Sequence, residues 1–173
     1  RMADKQRADA SPSKPRLLFQ VASAYLPFLE SLTFDRLAVI PYTGLPIGTA
    51  VGLQGNYPVI YPRKEPRPGE PQAAIEGIFN PGERAAVIDD MTTTGITKFA
   101  IIEHLRQQKV EVEDILVLID RESGANQKLV NAGYRLHAVF TLTQLCSILK
   151  DQSHITQEQA DAVAKFIQQT ASS

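Results

Sequence analysis

Residues 86 to 98 read AVIDDMTTTGITK. An apolar run ends there in two adjacent aspartates, Asp89 and Asp90, and a turn rich in threonine and glycine leads into a helical pattern. A buried strand that passes through a short turn into a helix is a building unit of α/β sheets. Ligands of such sheets bind beyond the carboxyl ends of the strands, so the stretch predicts both a fold class and the position of a ligand site.

The rest of the chain repeats this alternation of short apolar runs and helical patterns. Runs that we interpret as strands occupy residues 36–42, 58–62, 85–89, 114–120 and 135–140. Helical patterns occupy residues 15–32, 45–54, 97–109 and 125–132, and two later helices begin near Thr141 and Thr156 with capping-box spacing. The alternation predicts an α/β doubly wound, mostly parallel five-stranded sheet with helices on both faces. Because the runs are apolar on both faces, none is expected to be an edge strand.

Composition bounds the class of protein. The chain has 173 residues, 43% of them hydrophobic and 21% charged, which predicts one globular domain at residues 15–173 after a polar tail or truncated junction at residues 1–14. A formal net charge of -1 gives no electrostatic footprint for nucleic acid. No segment approaches the roughly 18 apolar residues that span a bilayer, so we expect neither a nucleic-acid nor a membrane partner. A single cysteine, Cys146, and the lack of a leader predict a cytoplasmic location.

The turn after the aspartates is typical of a phosphate site. The N-terminus of the following helix has free backbone N–H groups and a partial positive charge, and Gly95 lets the backbone approach an anion closely. The hydroxyls of Thr93, Thr94 and Thr97 are additional donors. The lysine-containing pattern GxxxxGK[ST] does not occur in the sequence. The turn therefore predicts a phosphate site of a different kind.

The paired carboxylates suit a polyol better than a second phosphate. Like charges would repel a phosphate, whereas a carboxylate accepts hydrogen bonds from vicinal hydroxyls. We therefore predict that Asp89 and Asp90 hold a ribose diol while the threonine turn holds its 5-phosphate. The alternative is a helix N-cap with one extra acidic residue.

Two other places could contact a diphosphate. Thr43 and Gly44 follow the first strand and could present backbone amides, although an ordinary strand-to-helix turn has the same pattern. Arg63, Lys64 and Arg67 put three cations within five positions of a long proline-rich connection. These cations are either a solvated surface or part of a loop that closes over a pyrophosphate leaving group.

Arg121, at the end of the fourth predicted strand, is a candidate for binding a base. Its planar guanidinium could contact a carboxylate or the edge of an amide-like ring, and the alternative is an ion pair with Asp120 or Glu122. The three histidines are dispersed without the spacing of zinc ligands, so no direct metal ligand is predicted.

These residues carry a family resemblance. AVIDDMTTTGITK resembles the phosphoribosyl pyrophosphate motif of the type I phosphoribosyltransferases. Further stretches resemble orotate phosphoribosyltransferase, including the domain fused to orotidylate decarboxylase: IPYTGLPIGTA, YPRKE, IEGIFNPGE, VLIDRESGANQKLVNAGYRLHAVFTLTQL and ITQEQADAVAKFIQQ. The resemblance covers about residues 15 to 170 and keeps the order and spacing of these motifs.

The resemblance implies a reaction. Phosphoribosyl pyrophosphate, bound with Mg²⁺, would lose pyrophosphate as a nitrogen of orotate attacks its anomeric carbon, which gives orotidine monophosphate for pyrimidine (UMP) synthesis. The family's mobile loop reaches into the neighbouring subunit, which implies a homodimer. Two alternatives remain open: a catalytically degenerate regulatory protein that binds phosphoribosyl pyrophosphate, and a transferase for another base.

It also implies residue roles, matched motif by motif. Catalytic roles fall on Lys64, Arg67, Asp89 and Asp90, and orotate contacts on Thr93 and Arg121. Contacts to phosphoribosyl pyrophosphate fall on Tyr42, Thr43, Arg63, Lys64, Asp89, Asp90, Met91, Thr92, Thr93, Thr94, Gly95, Ile96 and Thr97. Mg²⁺ would be held through the substrate, with no direct protein ligand.

The chain departs from the family pattern in three places. Arg67 stands where the family has a loop lysine and Gly69 where it has an aromatic residue or histidine, and arginine keeps the charge but does not readily give up a proton. Thr43 stands where many bacterial members have lysine. The N-terminal hood that covers orotate in the family, with its lysine and aromatic residues, is expected to be missing.

Overall fold

The structure, a computed structural model, describes residues 14–63 and 74–171. Its strands are β1 (Arg36–Val39), β2 (Val59–Pro62), β3 (Ile75–Glu76), β4 (Arg84–Thr92), β5 (Glu111–Asp120) and β6 (Arg135–Thr141). Its helices are α1 (Pro15–Leu29), α2 (Gly44–Gly55), α3 (Ile96–Gln107), α4 (Ala125–Asn131), α5 (Leu142–Asp151) and α6 (Gln157–Ala171). The predicted boundary of the globular domain, at residue 15, coincides with the start of α1, and it stays a prediction because residues 1–13 lie outside the described ranges.

The strands form one sheet in the order β3-β2-β1-β4-β5-β6. All neighbouring pairs are parallel except β2 with β3, which is antiparallel. The doubly wound, mostly parallel sheet is therefore confirmed. The predicted number of strands was wrong, because β3 is a two-residue strand inside a proline-rich segment and has no apolar alternation to reveal it.

Helices cover both faces of the sheet, as predicted. On one face the side chains of α3 and α4, among them Ile102, Leu105 and Leu129, pack against alternate residues of β1, β4 and β5. On the other face α1 and α2 pack through Tyr25 and Val51 among others. The sheet therefore has a hydrophobic core on each of its two faces.

The expectation that no apolar run lies at an edge was wrong for β6. This strand ends the sheet, yet Leu136 and Ala138 pack on one core and Val139 on the other. Apolar residues on both faces of a strand report that helices lie above and below it, and they do not report whether a further strand pairs alongside. Among the described helices, none has both the length and the apolarity to cross a membrane.

Candidate functional site

The site lies where the carboxyl ends of three adjacent parallel strands meet. Val39 of β1 is in register with Ile88 of β4, and Thr92 of β4 with Asp120 of β5. Because the strands are parallel, the turns that follow β1, β4 and β5 leave the sheet at the same edge. The structure thus brings together the turns that carry Thr43, Thr93 and Arg121.

β4 continues beyond its predicted end and includes both aspartates. Successive side chains of a strand point to opposite faces, so Asp89 and Asp90 diverge. Asp89 is 5% exposed, whereas Asp90 is half-buried and lines a pocket of about 360 Å³ together with Thr43 and Met91. The remaining walls of this pocket are mostly apolar side chains of α1, α2 and β5. Of the two carboxylates, Asp90 is the more accessible to a ligand.

Asp89 is held at both of its carboxylate oxygens. Oδ1 accepts a hydrogen bond from the backbone N–H of Asp90 at 2.9 Å, and Oδ2 accepts one from Lys98 Nζ at 2.8 Å. The carbonyl oxygen of Asp89 accepts a further bond from the Tyr25 hydroxyl at 2.9 Å. A Cβ added at Gly44 would lie 3.1 Å from Asp89 Oδ1, so α2 begins in close contact with this carboxylate.

Burial dominates the ionisation of Asp89. Desolvation raises the pKa of Asp89 to about 6, the charge and hydrogen bond of Lys98 lower it, and the neighbouring Asp90 raises it. Burial also raises the pKa of Tyr25, with Asp89 and Asp90 adding to the shift. Asp89 is therefore mostly ionised at neutral pH, and a modest fall in pH is enough to protonate it.

The turn after β4, which the sequence predicts to hold a phosphate, leads into a helix without a side-chain cap. Gly95 is the N-cap of α3 at φ +82°, and no side chain accepts a hydrogen bond at this terminus. Thr94, Ile96 and Thr97 are exposed and Thr93 is half-buried. The first amides of α3 are therefore available to an anion, as the sequence predicts.

Thr92 differs from the other threonines of the turn. It is 1% exposed, and its Oγ1 has no hydrogen-bond partner within the described part of the chain. Its carbonyl oxygen accepts the backbone N–H of Arg121 at 3.1 Å, which ties the turn after β5 to the end of β4.

Arg121 lies under the last helix. Its guanidinium carbon is 5.3 Å from the centre of the Phe166 ring, within the range of a cation–π contact. Two residues on, Ser123 Oγ lies 3.2 Å from Thr170 Oγ1, also on α6. The carboxylates proposed as its alternative partners accept backbone N–H groups instead: Asp120 that of Glu122, and Glu122 that of Thr143.

The described residues that are assigned to the diphosphate follow β1 and β2, on the other side of the site. Tyr42 follows a cis peptide bond after Pro41 and is 61% exposed, and Thr43 is exposed at the N-cap of α2. Arg63 follows β2, two strand spacings or about 10 Å from β4, and its guanidinium pairs with Glu76. Lys64, Arg67 and Gly69 lie outside the described residues, so their roles stay predictions.

Sequence reasoning missed Lys98, Tyr25 and Phe166 as parts of this site. For Lys98 a signal was present, because residues 98, 101, 102 and 105 follow the spacing of a buried helix stripe. A lysine on such a stripe needs a buried anion, and two acids, Asp89 and Asp90, lie shortly upstream of it on β4. The structure shows that Asp89 is the partner. For Tyr25 and Phe166 no local pattern exists, since their contacts are 64 and 45 residues distant in sequence.

Comparison with known proteins places the chain among enzymes of one kind. It is 41% identical over 147 residues to the bifunctional enzyme PyrF/PyrE of Nostoc sp., which covers 85% of this chain and 31% of that protein. It is 30% identical over 160 residues to the orotate phosphoribosyltransferase of Chlamydia caviae, with coverage of 91% of this chain and 77% of the relative. No family model matches the chain.

A solved structure agrees with these relatives. The structure of Leishmania donovani UMP synthase superposes with a TM-score of 0.83 at 40% identity, and the match covers 91% of this chain and 34% of that one. The chain spans about a third of the length of two of the relatives that it matches, the bifunctional enzyme of Nostoc sp. and the uridine 5'-monophosphate synthase of Bos taurus.

Proposed function

The chain belongs to the orotate phosphoribosyltransferase family, and from that membership we propose that it transfers the phosphoribosyl group from phosphoribosyl pyrophosphate to orotate. The products are orotidine monophosphate and pyrophosphate, in the synthesis of UMP. One observation carries the proposal: Asp89 and Asp90 lie near the carboxyl end of β4, and a short turn leads from this strand to the N-terminus of α3, which has no side-chain cap. This arrangement can hold a ribose diol and a 5-phosphate of the same molecule.

The proposed contacts of the ribose and the 5-phosphate determine where the other parts of phosphoribosyl pyrophosphate lie. The diphosphate extends toward the turn at Tyr42 and Thr43, with Arg63 and Lys64 as further contacts. Orotate lies on the opposite side, between Thr93 and Arg121. The transition state resembles an oxocarbenium ion, so the protein contributes mainly orientation of the two substrates and stabilisation of the charges that develop.

Mg²⁺ fits this site as a companion of the substrate. The described residues contain no group of three or more side chains that could hold a metal. Mg²⁺ commonly keeps several waters and binds through substrate phosphates, which suits a site with few protein ligands. When bound, it neutralises charge on the pyrophosphate leaving group.

We also propose that the chain acts as a homodimer in the cytoplasm. The dimer follows from the family resemblance of the loop that contains Lys64 and Arg67. The cytoplasmic location is supported by a single cysteine, Cys146, in the whole sequence. Sedimentation of the purified chain tests the dimer, and a monomer at all concentrations would contradict it.

A direct assay tests the transferase proposal. Orotate absorbance is followed after phosphoribosyl pyrophosphate is added, with and without Mg²⁺, and we expect orotate to be consumed when Mg²⁺ is present. Thermal unfolding with phosphoribosyl pyrophosphate is measured in parallel. Stabilisation without turnover would contradict the transferase and indicate a binding protein. Turnover of another base in place of orotate would correct the base specificity alone.

A further inference from the structure

A buried cation lies within the phosphoribosyl site and has no role in the function proposed so far. Lys98 is in the first turn of α3, 5% exposed, on the stripe that also buries Ile101, Ile102 and Leu105. Exposed lysines keep the ammonium group in water, and a buried lysine is stable in its charged form only with an anion and further acceptors. The groups that accept hydrogen bonds from the Lys98 ammonium therefore indicate the role of this charge.

Both acceptors of Lys98 belong to the ligand-binding end of β4. Nζ donates to Asp89 Oδ2 at 2.8 Å and to the carbonyl oxygen of Met91. The side chains of Lys98 and Asp89 are each 6% exposed, so the pair is shielded from water. A single lysine thus fixes one carboxylate oxygen of Asp89 and the backbone two residues beyond it.

We propose that Lys98 is a positioning residue of the phosphoribosyl site: it keeps Asp89 ionised and in one orientation before the ribose hydroxyls arrive. The proposal rests on the proposed function, because Asp89 is assigned there to the ribose. Oδ1 is fixed by the amide of Asp90 and Oδ2 by Lys98, and each oxygen has a second lone pair for a ligand hydroxyl. Binding then needs no reorientation of the carboxylate.

A purely structural ion pair is the competing explanation. Buried ion pairs are often no more stabilising than apolar residues of similar volume, so fold stability alone is a weak reason to place one here. This pair also lies at the edge of the sheet where the predicted ligand residues converge. The two explanations differ in one measurable respect, since only positioning makes ligand affinity depend on Lys98 through Asp89.

The charged and titratable groups around Asp89 come from three elements. Lys98 faces it from α3, Asp90 follows it on β4, and the Tyr25 hydroxyl reaches its carbonyl oxygen from α1. Burial and Asp90 both disfavour the ionised carboxylate, and Lys98 favours it. Removal of the lysine charge therefore raises the pKa of Asp89 further, by about one to three pH units.

The test measures the affinity for phosphoribosyl pyrophosphate by calorimetry across the range from about pH 5 to about pH 9. For the unaltered chain we expect affinity to fall as the pH drops through about 6, where Asp89 takes up a proton. In Lys98→Met the same fall should occur at least about one pH unit higher. Lys98→Arg keeps the charge and should stay closer to the unaltered profile. Lys150→Met, which removes an exposed charge from α5, is the matched control and should not move it.

The outcomes separate the two proposals. An unaltered chain that binds no phosphoribosyl pyrophosphate at any pH contradicts the proposed function. An unaltered chain that binds, with an identical pH profile in Lys98→Met, overturns the role of Lys98 alone.

A comparison of Asp89→Asn with a double variant covers the case in which Lys98→Met does not fold. Lys98→Met combined with Asp89→Asn leaves no buried charge unpaired at this position, so the double variant is expected to fold. If Lys98 acts through Asp89, the double variant binds as Asp89→Asn does. If the double variant binds phosphoribosyl pyrophosphate tenfold or more weakly than Asp89→Asn, Lys98 contributes about 1.4 kcal/mol or more independently of Asp89. That result would overturn the proposal.

Discussion

At the scale of single residues, adjacent positions of one strand have different physical tasks. Asp89 is buried and has a donor at each carboxylate oxygen, whereas Asp90 is half-buried and lines the pocket beside Thr43. The sequence shows two identical residues, but successive side chains of a strand point to opposite faces, so the two carboxylates lie in different environments. Asp90 is therefore the residue whose removal should affect the ligand most directly.

Asp90→Asn should weaken binding of phosphoribosyl pyrophosphate by about tenfold or more, because hydrogen bonds to a charged group contribute roughly 1.5–3 kcal/mol. The free energy of unfolding should change little, since the side chain is only half-buried. Calorimetry and urea unfolding give the two quantities. Asp151→Asn, an exposed acid at the end of α5, is the control. An Asp90→Asn variant with unaltered affinity would show that the ribose contact has been assigned to the wrong residue.

Two glycines of α2 provide a matched pair. A Cβ at Gly44 meets Asp89 Oδ1 at 3.1 Å, whereas one at Gly48 meets Val39 Cγ2 at 2.3 Å. Gly44→Ala should displace the carboxylate and lower ligand affinity with little loss of stability. Gly48→Ala should cost about 1–3 kcal/mol of unfolding free energy, because it overpacks the contact of α2 with β1. Equal effects of both substitutions on stability would contradict the distinction.

At the scale of elements, local patterns predicted most strands and helices well. They predicted poorly which strand lies at the edge of the sheet and which distant elements are in contact. The run before Asp89 became β4, and its turn became the uncapped start of α3. β3 escaped prediction because two residues are too few for a period, and the edge position of β6 because its two faces are covered by helices. Contacts between distant elements, such as α6 with the turn after β5, have no local signature at all.

The contact of α6 with that turn leads to a prediction about orotate. Phe166→Leu removes the aromatic face but keeps apolar volume, so Arg121 loses a cation–π contact of about 0.5–1 kcal/mol. We expect the KM for orotate to rise by roughly twofold to fivefold, as this free energy implies, with the affinity for phosphoribosyl pyrophosphate unchanged. Phe166→Tyr keeps the ring face and should restore the KM. A rise in both constants would indicate a general disturbance of α6.

At the scale of the whole molecule, the two ends of the sheet differ in electrostatics. Near the amino ends of the strands, Arg36 pairs with Glu83 and Arg135 with Asp114, and these contacts lower the pKa of both carboxyl groups. Near the carboxyl ends, burial raises the pKa of Asp89 and of Asp120. Paired charges stabilise one end, and the ligand-binding end contains carboxylates that are costly to ionise.

The opposite pKa shifts at the two ends of the sheet predict how the stability of the protein depends on pH in the absence of ligand. A carboxyl group with a raised folded pKa stabilises the fold below its unfolded value, and that contribution is lost as pH rises through the folded value. For Asp89 the loss occurs between about pH 4 and pH 6 and is complete above that range. The free energy of unfolding should therefore increase as the pH is lowered from about 8 to about 5.

Below about pH 4 the direction reverses, because Asp114 and Glu83 have lowered folded pKa values and lose their contribution when they are protonated. Urea unfolding at a series of pH values measures both limbs. Asp89→Asn should weaken the increase between about pH 8 and pH 5 and leave the acid limb in place. A stability that is level from about pH 8 to pH 5 would count against a raised pKa for Asp89.

The hairpin formed by β2 and β3 has a consequence for how this protein can change over evolution. The backbone N–H of Arg63 donates to Ala74 O at 2.8 Å, and the Arg63 side chain pairs with Glu76. The described residues on either side of positions 64 to 73 are therefore joined by a hydrogen bond. An insertion or replacement between two such joined ends adds little loop-closure entropy and disturbs no core contact of β2. The sequence between Arg63 and Ala74, which contains Arg67, can thus vary in length and composition without altering the foldability of the sheet, and selection can act on the catalytic role proposed for Arg67 without a cost in core packing.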